Sequence, residues 1–189
     1  TGLAQLPSPA LDRVFPTGAQ VGTTVELEIA GRDLDEATRL VLFPTGLEAE
    51  RIKRETQEFE TGLHYVPNRF RLTVPTNMPL GVYDVRVVGR FGASTPASFV
   101  IGDVPELVEN GDNHQPDKAI ELPLDQVMNG RADGGVIDYY RIHAEAGQTL
   151  VVECVAAAIE SKLRPVITVW DAAGKQLARN RHLSEPIVT

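Results

Sequence analysis

The sequence predicts an all-β protein built from two tandem β-sandwich domains. Three observations carry this reading. Apolar and polar residues alternate along much of the chain, the two-residue period of strands with one buried face. Glycine turns punctuate the alternation, most clearly DGG, EAGQ and DAAGK between Asn129 and Arg179. Helical periodicity is weak throughout. The 189 residues suffice for two small domains, each with its own core.

The elements follow in order. Residues 1–11, TGLAQLPSPAL, hold two prolines and little periodicity and read as a lead-in. From Thr24 to Ile29, Val25, Leu27 and Ile29 share one face and Glu26 and Glu28 the other. Burying one such aliphatic side chain is worth about 1.5–3 kcal/mol, so the apolar face is expected inward. Leu34–Arg39 offers about one helical turn, with Asp33 or Asp35 as its cap. Arg39–Phe43 is a short strand stopped by Pro44 and Gly46. Between Glu55 and Arg69 the pattern is lost, which predicts a long loop or hairpin excursion around Gly62 and Pro67. Phe70, Leu72 and Val74 alternate with Arg71 and Thr73. Tyr83, Val85 and Val87 alternate with Asp84 and Arg86, and Ser98–Ile101 closes the first block at 12–102.

Residues 103–112 form the expected linker, with a proline and clustered acids. The second block is 113–189. There Pro116–Leu122 reads as a turn into a short strand, followed by strands near Val127–Arg131, Val136–His143, Thr149–Val155, Pro165–Trp170 and Gln176–Arg179.

The formal charge is −8, from 18 basic and 26 acidic side chains. An acidic surface repels phosphate backbones, which argues against nucleic acid as a partner. No apolar run reaches the roughly 18 residues that a membrane helix needs, so no membrane span is expected. The first residue is Thr1, and the expectation is a mature or excised piece of a longer protein. The single cysteine, Cys154, lies in LVVECVA and reads as a buried strand residue rather than a reactive thiol.

Two resemblances follow from spaced motifs. RVFPTGAQVGTTVELEIAGRDL, through Arg13–Pro16, Gly18, Gly22 and Gly31–Leu34, resembles the opening of an immunoglobulin-like module of the IPT/TIG type. PLGVYDV resembles that family's final hairpin. In the second block, Asn113, Pro116 and Ala119, then Asn129-Gly130, IDYYRIHAEAGQTL and PVITVWDAAGKQLA, resemble in the same order the bacterial pre-peptidase C-terminal domain. The resemblances imply an Ig-like and then a jelly-roll-like sandwich, in a bacterial protein exported to the periplasm or beyond. Arg164, Asn180 and Arg181 stand where the second family has acids, which argues against the calcium that some relatives hold. The family continues with a Gly-x-Tyr strand pair, so the second sandwich is expected to be incomplete within these residues.

Catalytic chemistry is sparse. There is no Gly-x-Ser-x-Gly elbow and no His-Glu-x-x-His helix, and His64, His114, His143 and His182 are scattered. His143 and Glu145 share one strand face, a spacing that suits a metal, although solvated turn-flanking residues are the simpler reading. Glu109, Asp112 and Asp117 are the candidate oxygen ligands for Ca²⁺, set against a reading as solvated loop acids. Asp138 and Asp171 read as turn organisers. Tyr65, Tyr139 and Trp170 are the candidate aromatic surface for a sugar, set against burial of Trp170 at the end of a core-like run. The resulting expectation is a pair of non-catalytic accessory modules, for binding or spacing, in a larger exported protein, with a hydrolase as one candidate for the rest of it. Its partners are the other domains and a polysaccharide or protein ligand. The alternative is a calcium-assisted carbohydrate- or protein-binding module.

Overall fold

The structure is a computed structural model that describes residues 6–57 and 60–180 and the backbone of Ile187–Val188. It is all-β. The strands of the first half are β1 (Ala10–Phe15), β2 (Gly18–Gln20), β3 (Thr24–Arg32), β4 (Arg39–Phe43), β5 (Leu47–Arg54), β6 (His64–Thr73), β7 (Gly81–Gly89), β8 (Gly92–Ala93) and β9 (Ala97–Gly102). Short strands follow: β10 (Glu106–Val108), β11 (Ile120–Glu121), β12 (Val127–Asn129), β13 (Tyr140–Arg141), β14 (Val151–Val152), β15 (Thr168–Trp170), β16 (Gln176–Arg179) and β17 (Ile187–Val188). Two single 3₁₀ turns, Pro116–Lys118 and Ala157–Ile159, are the helical elements among the described residues.

The chain divides into two compact units. One holds the residues up to Val108 together with Asp125–Gly130; the other holds Glu109–Leu124 and the residues from Arg131 on. The expected linker at 103–112 thus contains β10, which pairs in parallel with β12 inside the first unit.

In the first unit the strand order is β1-β3-β6-β5-β4-β7-β9-β2, with β8 beside β7. Strand β5 belongs to both halves of this path. Its Leu47–Ala49 pair with β4, and its Glu50–Arg54 pair with β6. Leu27 and Ile29 of β3 and Phe70 and Leu72 of β6 form a single buried cluster with Leu40 and Leu42 of β4, Val85 and Val87 of β7, and Phe99 and Ile101 of β9. The sheet therefore folds over at β5 into two facing layers. The alternation read from β3 holds, because Glu26 and Glu28 point outward and pair with Arg71 at 2.7 Å and Arg69 at 3.0 Å. Exposed pairs of this kind each contribute about 0–1 kcal/mol, so the apolar cluster rather than the charged face stabilises the unit.

Several local expectations are corrected. The lead-in at 1–11 overlaps β1, because Ala10 and Leu11 pair with Arg32 and Gly31. Leu34–Arg39 is no helix. Asp33 and Glu36 take left-handed backbone angles, and one hydrogen bond, Ala37 N–H to the Leu34 carbonyl at 3.2 Å, closes a lone turn. The stretch 55–69 is half loop and half strand, since β6 starts at His64. Its residues escape the two-residue period because β6 is distorted there. Glu58 and Phe59 lie outside the described residues.

The second unit is built from pairs. β11 pairs with β13, β14 with β17, and β15 with β16. Asn113, fully buried, joins two of the spaced sequence motifs. Its carbonyl accepts the Tyr139 N–H at 2.8 Å and its side-chain amide donates to the Tyr139 carbonyl at 3.4 Å. The DAAGK turn is organised as expected, with Asp171 Oδ1 accepting the N–H groups of Ala173 and Lys175 at 2.9 Å each. Val152, Ile167 and Val169 are half-buried, while Val151, Val166 and Leu177 are exposed. Cys154 is exposed rather than buried, because the chain beyond β14 leaves the sheet. Local desolvation and the adjacent Glu153 carboxylate still raise its thiol pKa, the reverse of a reactive thiol.

A candidate ligand groove

The geometry of β6 creates a groove on which polar side chains from β5, β6 and the turn after β3 converge. On one side, β6 pairs with β3 from Thr73 opposite Thr24 to Arg69 opposite Glu28. On the other, its partners in β5 jump from Arg51 opposite Phe70 to Lys53 opposite Tyr65. Val66–Arg69 therefore stand against Ile52 alone, a large bulge. Asn68 sits in the bulge with φ of 57°, a left-handed angle that Asn tolerates better than most side chains. The far end of β3 has meanwhile passed to β1, with Ile29 opposite Val14. The first part of β6 is left without β3 beside it. The turn after β3 bounds the opening, with Asp33 at φ 53° and Glu36 at φ 54°.

The result is a groove of about 400 Å³, lined among others by Leu34, Asp35, Arg51, Tyr65 and Asn68. That volume lies within the roughly 300–1,000 Å³ of small-molecule sites. The Arg51 guanidinium carbon stands 3.8 Å from the centre of the Tyr65 ring, a cation–π contact worth about 0.5–1 kcal/mol when exposed. This contact favours one placement of the ring, with the guanidinium beside it on the groove lining.

The polar lining falls into two sets. Asp33 Oδ2 accepts the Ser8 N–H at 3.0 Å, Glu36 pairs with Arg90 at 3.3 Å, and Arg69 pairs with Glu28 at 3.0 Å, so these side chains brace the walls. Asp35, Asn68 and the Tyr65 hydroxyl have no such partner among the described residues. They offer a carboxylate, an amide and a phenol to whatever enters.

The other candidates from the sequence lie elsewhere. Tyr139 and Trp170 meet in the second unit, ring centres 6.4 Å apart and tilted by 31°. Trp170 is 46% exposed, against the burial expected from its run. A register shift between Val169 and Trp170 breaks the alternation and turns it outward. Glu109 accepts the Arg131 N–H and the Tyr140 hydroxyl. Desolvation, with Glu109 second, drives the Tyr140 pKa up. Asp112 binds Lys118 at 3.0 Å, and Asp117 stands exposed in the first 3₁₀ turn. No group of three His, Cys, Asp or Glu among the described residues is placed to hold a metal. His143 faces Glu121 at 3.1 Å rather than sharing an ion with Glu145. Asp138 pairs with His114 at 3.0 Å, a contact across 24 residues of sequence in addition to its expected turn. Asn180 holds the start of the last hairpin, accepting the Ile167 N–H at 3.0 Å. Arg181 and His182 lie outside the described residues.

Sequence reading found Tyr65 but missed Arg51, Asp35 and Asn68. The signal was present in the broken alternation around Pro67-Asn68 and in the acidic DLDE run after Arg32.

No family model matches the chain, and no curated protein matches it. Among solved structures the chain is similar to SGBP-B of the mixed-linkage glucan utilization locus of Bacteroides ovatus, solved in complex with a mixed-linkage heptasaccharide. The TM-score is 0.35 and the identity 16%, over 61% of this chain and 26% of that one.

Proposed function

We propose that this chain is a pair of non-catalytic accessory modules of a larger exported bacterial protein, and that its first unit binds a ligand rather than merely spacing its neighbours. In this reading the first unit is an immunoglobulin-like module of the IPT/TIG type and the second a pre-peptidase C-terminal module. The motif resemblances support both assignments. The meeting of Asn113 with Tyr139 supports the second, because it joins two motifs that lie apart in sequence. No helix among the described residues is long and apolar enough to cross a membrane.

The observation that carries the binding role is the β6 groove, where Asp35, Asn68 and the Tyr65 hydroxyl stand uncommitted beside a ring backed by Arg51. A pure spacer has no need of a bulge that opens its sheet. Hydrogen–deuterium exchange with soluble polysaccharides and with unstructured peptides tests this. Protection confined to residues 33–36 and 65–69 by either class, with no new reducing ends or amines released, is the expected result. Turnover of a polymer, or no protection by either class, would end the reading.

A further inference from the structure

We infer that the β6 groove takes a neutral oligosaccharide, an assignment that rests on the binding role proposed above and commits it to one ligand chemistry. The argument starts from charge. Of the five charged side chains on the groove, Glu36, Arg69 and Asp33 are engaged by Arg90, Glu28 and the Ser8 N–H. What faces the opening is one carboxylate, Asp35, and one guanidinium, Arg51, which cancel. An anionic ligand would gain from Arg51 and be repelled by Asp35, and a cationic one the reverse, so neither charge is favoured.

The remaining chemistry selects hydroxyls. Asp35 accepts only, Arg51 donates only, and Asn68 and the Tyr65 hydroxyl do both. A ligand that satisfies all four must carry many groups that donate and accept. Adjacent sugar hydroxyls do this, and a carboxylate or a guanidinium binds such a diol through two parallel contacts. A pyranose ring also has a flat patch of C–H groups, which suits contact with a held aromatic ring such as Tyr65. Arg51 stacks on Tyr65 and restricts its rotamers before a ligand arrives, which lowers the ordering cost of binding. The groove is partly open to solvent, so it can seat part of a longer chain.

Affinity electrophoresis of the whole chain tests the inference, in gels containing laminarin, xylan, galactomannan or dextran, with polygalacturonate and dextran sulfate as charged comparisons. At least one neutral polymer is expected to retard the protein. Tyr65→Ala and Asp35→Ala should each weaken that retardation about tenfold or more, the loss that follows from removing a charge-assisted or well-packed contact. Tyr65→Phe keeps the ring and should lie between. Trp170→Ala should behave as wild type. Thermal melts of each variant exclude unfolding as the cause.

Retardation that survives in Tyr65→Ala and Asp35→Ala but vanishes in Trp170→Ala overturns the groove and leaves a binding module with its site in the second unit. Retardation by the charged polymers alone overturns the neutral class. No retardation by any polymer, while peptides protect residues 65–69 from exchange, overturns the sugar and leaves the binding role intact. No retardation and no protection overturn both.

Discussion

The buried amide of Asn129 closes the first unit by accepting two hydrogen bonds from Thr17. The Thr17 N–H and Oγ1–H both reach Asn129 Oδ1 at 2.9 Å, across 112 residues of sequence. The amide nitrogen donates in turn to Glu106 Oε2 at 2.7 Å and to the Leu107 carbonyl at 3.3 Å. The Asn-Gly that resembles a strand start of the second block is thus a clasp within the first unit.

Asn129→Ala leaves the Thr17 N–H and the Glu106 carboxylate without their partner. Orphaning a buried polar group costs about 1–3 kcal/mol. Urea unfolding should show that loss with the slope unchanged. A variant as stable as wild type would remove the clasp from the account.

Glu106 carries a pH signature. Desolvation raises its pKa, with the Asn129 hydrogen bond opposing. A carboxyl whose pKa is higher in the folded than in the unfolded state contributes fully below its unfolded pKa, near 4.3, and this contribution is lost as pH rises through the folded value. Glu106→Gln should therefore gain stability relative to wild type at pH 7 and little at pH 4. Parallel denaturation curves at the two pH values measure the difference.

Gly31 is required by crowding. A Cβ built there would lie 2.0 Å from the Ala10 carbonyl oxygen, a backbone atom with no room to move because Leu11 and Gly31 are paired. Gly31→Ala should destabilise by about 1–3 kcal/mol, the usual cost of overpacking. Gly134→Ala, with nothing within 4 Å of the new methyl, should be close to neutral. Thermal melts compare the two.

Gly147 is required by its backbone instead. Its φ is 85° and the space around it is empty, so a side chain there meets strain and no clash. Gly147→Val should cost about 1–3 kcal/mol and Lys175→Ala almost nothing. Equal urea midpoints for the two variants would contradict the turn assignment.

Glu60 offers a local titration. Hydrogen bonds from Arg54 and then from the Gln57 N–H lower its pKa to about 2. Its contribution is present above the unfolded pKa and is lost as pH falls through the folded value of about 2. Carbon-detected NMR should place the midpoint far below that of other glutamates, and Arg54→Gln should restore most of it.

The legible parts of the fold are the regular ones. β3, β7 and β9 are legible because each keeps one apolar face inward, and β4 because its buried Leu40–Leu42 run is cut short by Pro44 and Gly46. β5 was invisible for the opposite reason. Leu47 and Ala49 face inward under β4's register, but the strand then changes partner and its period breaks at Glu50–Ile52. The groove was hidden by the same physics. Arg51, Asp35 and Asn68 are far apart in sequence and meet only because a bulge in β6 and the turn after β3 open toward each other, a tertiary outcome that no local window contains. Trp170 looked buried because its neighbours read as core, yet a single register shift decided its direction.

The double allegiance of β5 has a mechanical consequence. Most paired layers can slide past each other once their side-chain packing yields. Here the peptide bond between Ala49 and Glu50 runs from one layer into the other, with ladder hydrogen bonds on both sides of it. Any pull that shears the layers must be borne by the backbone itself and must strip two ladders at once. Separating the two layers of the first unit therefore means breaking main-chain pairing as well as side-chain packing.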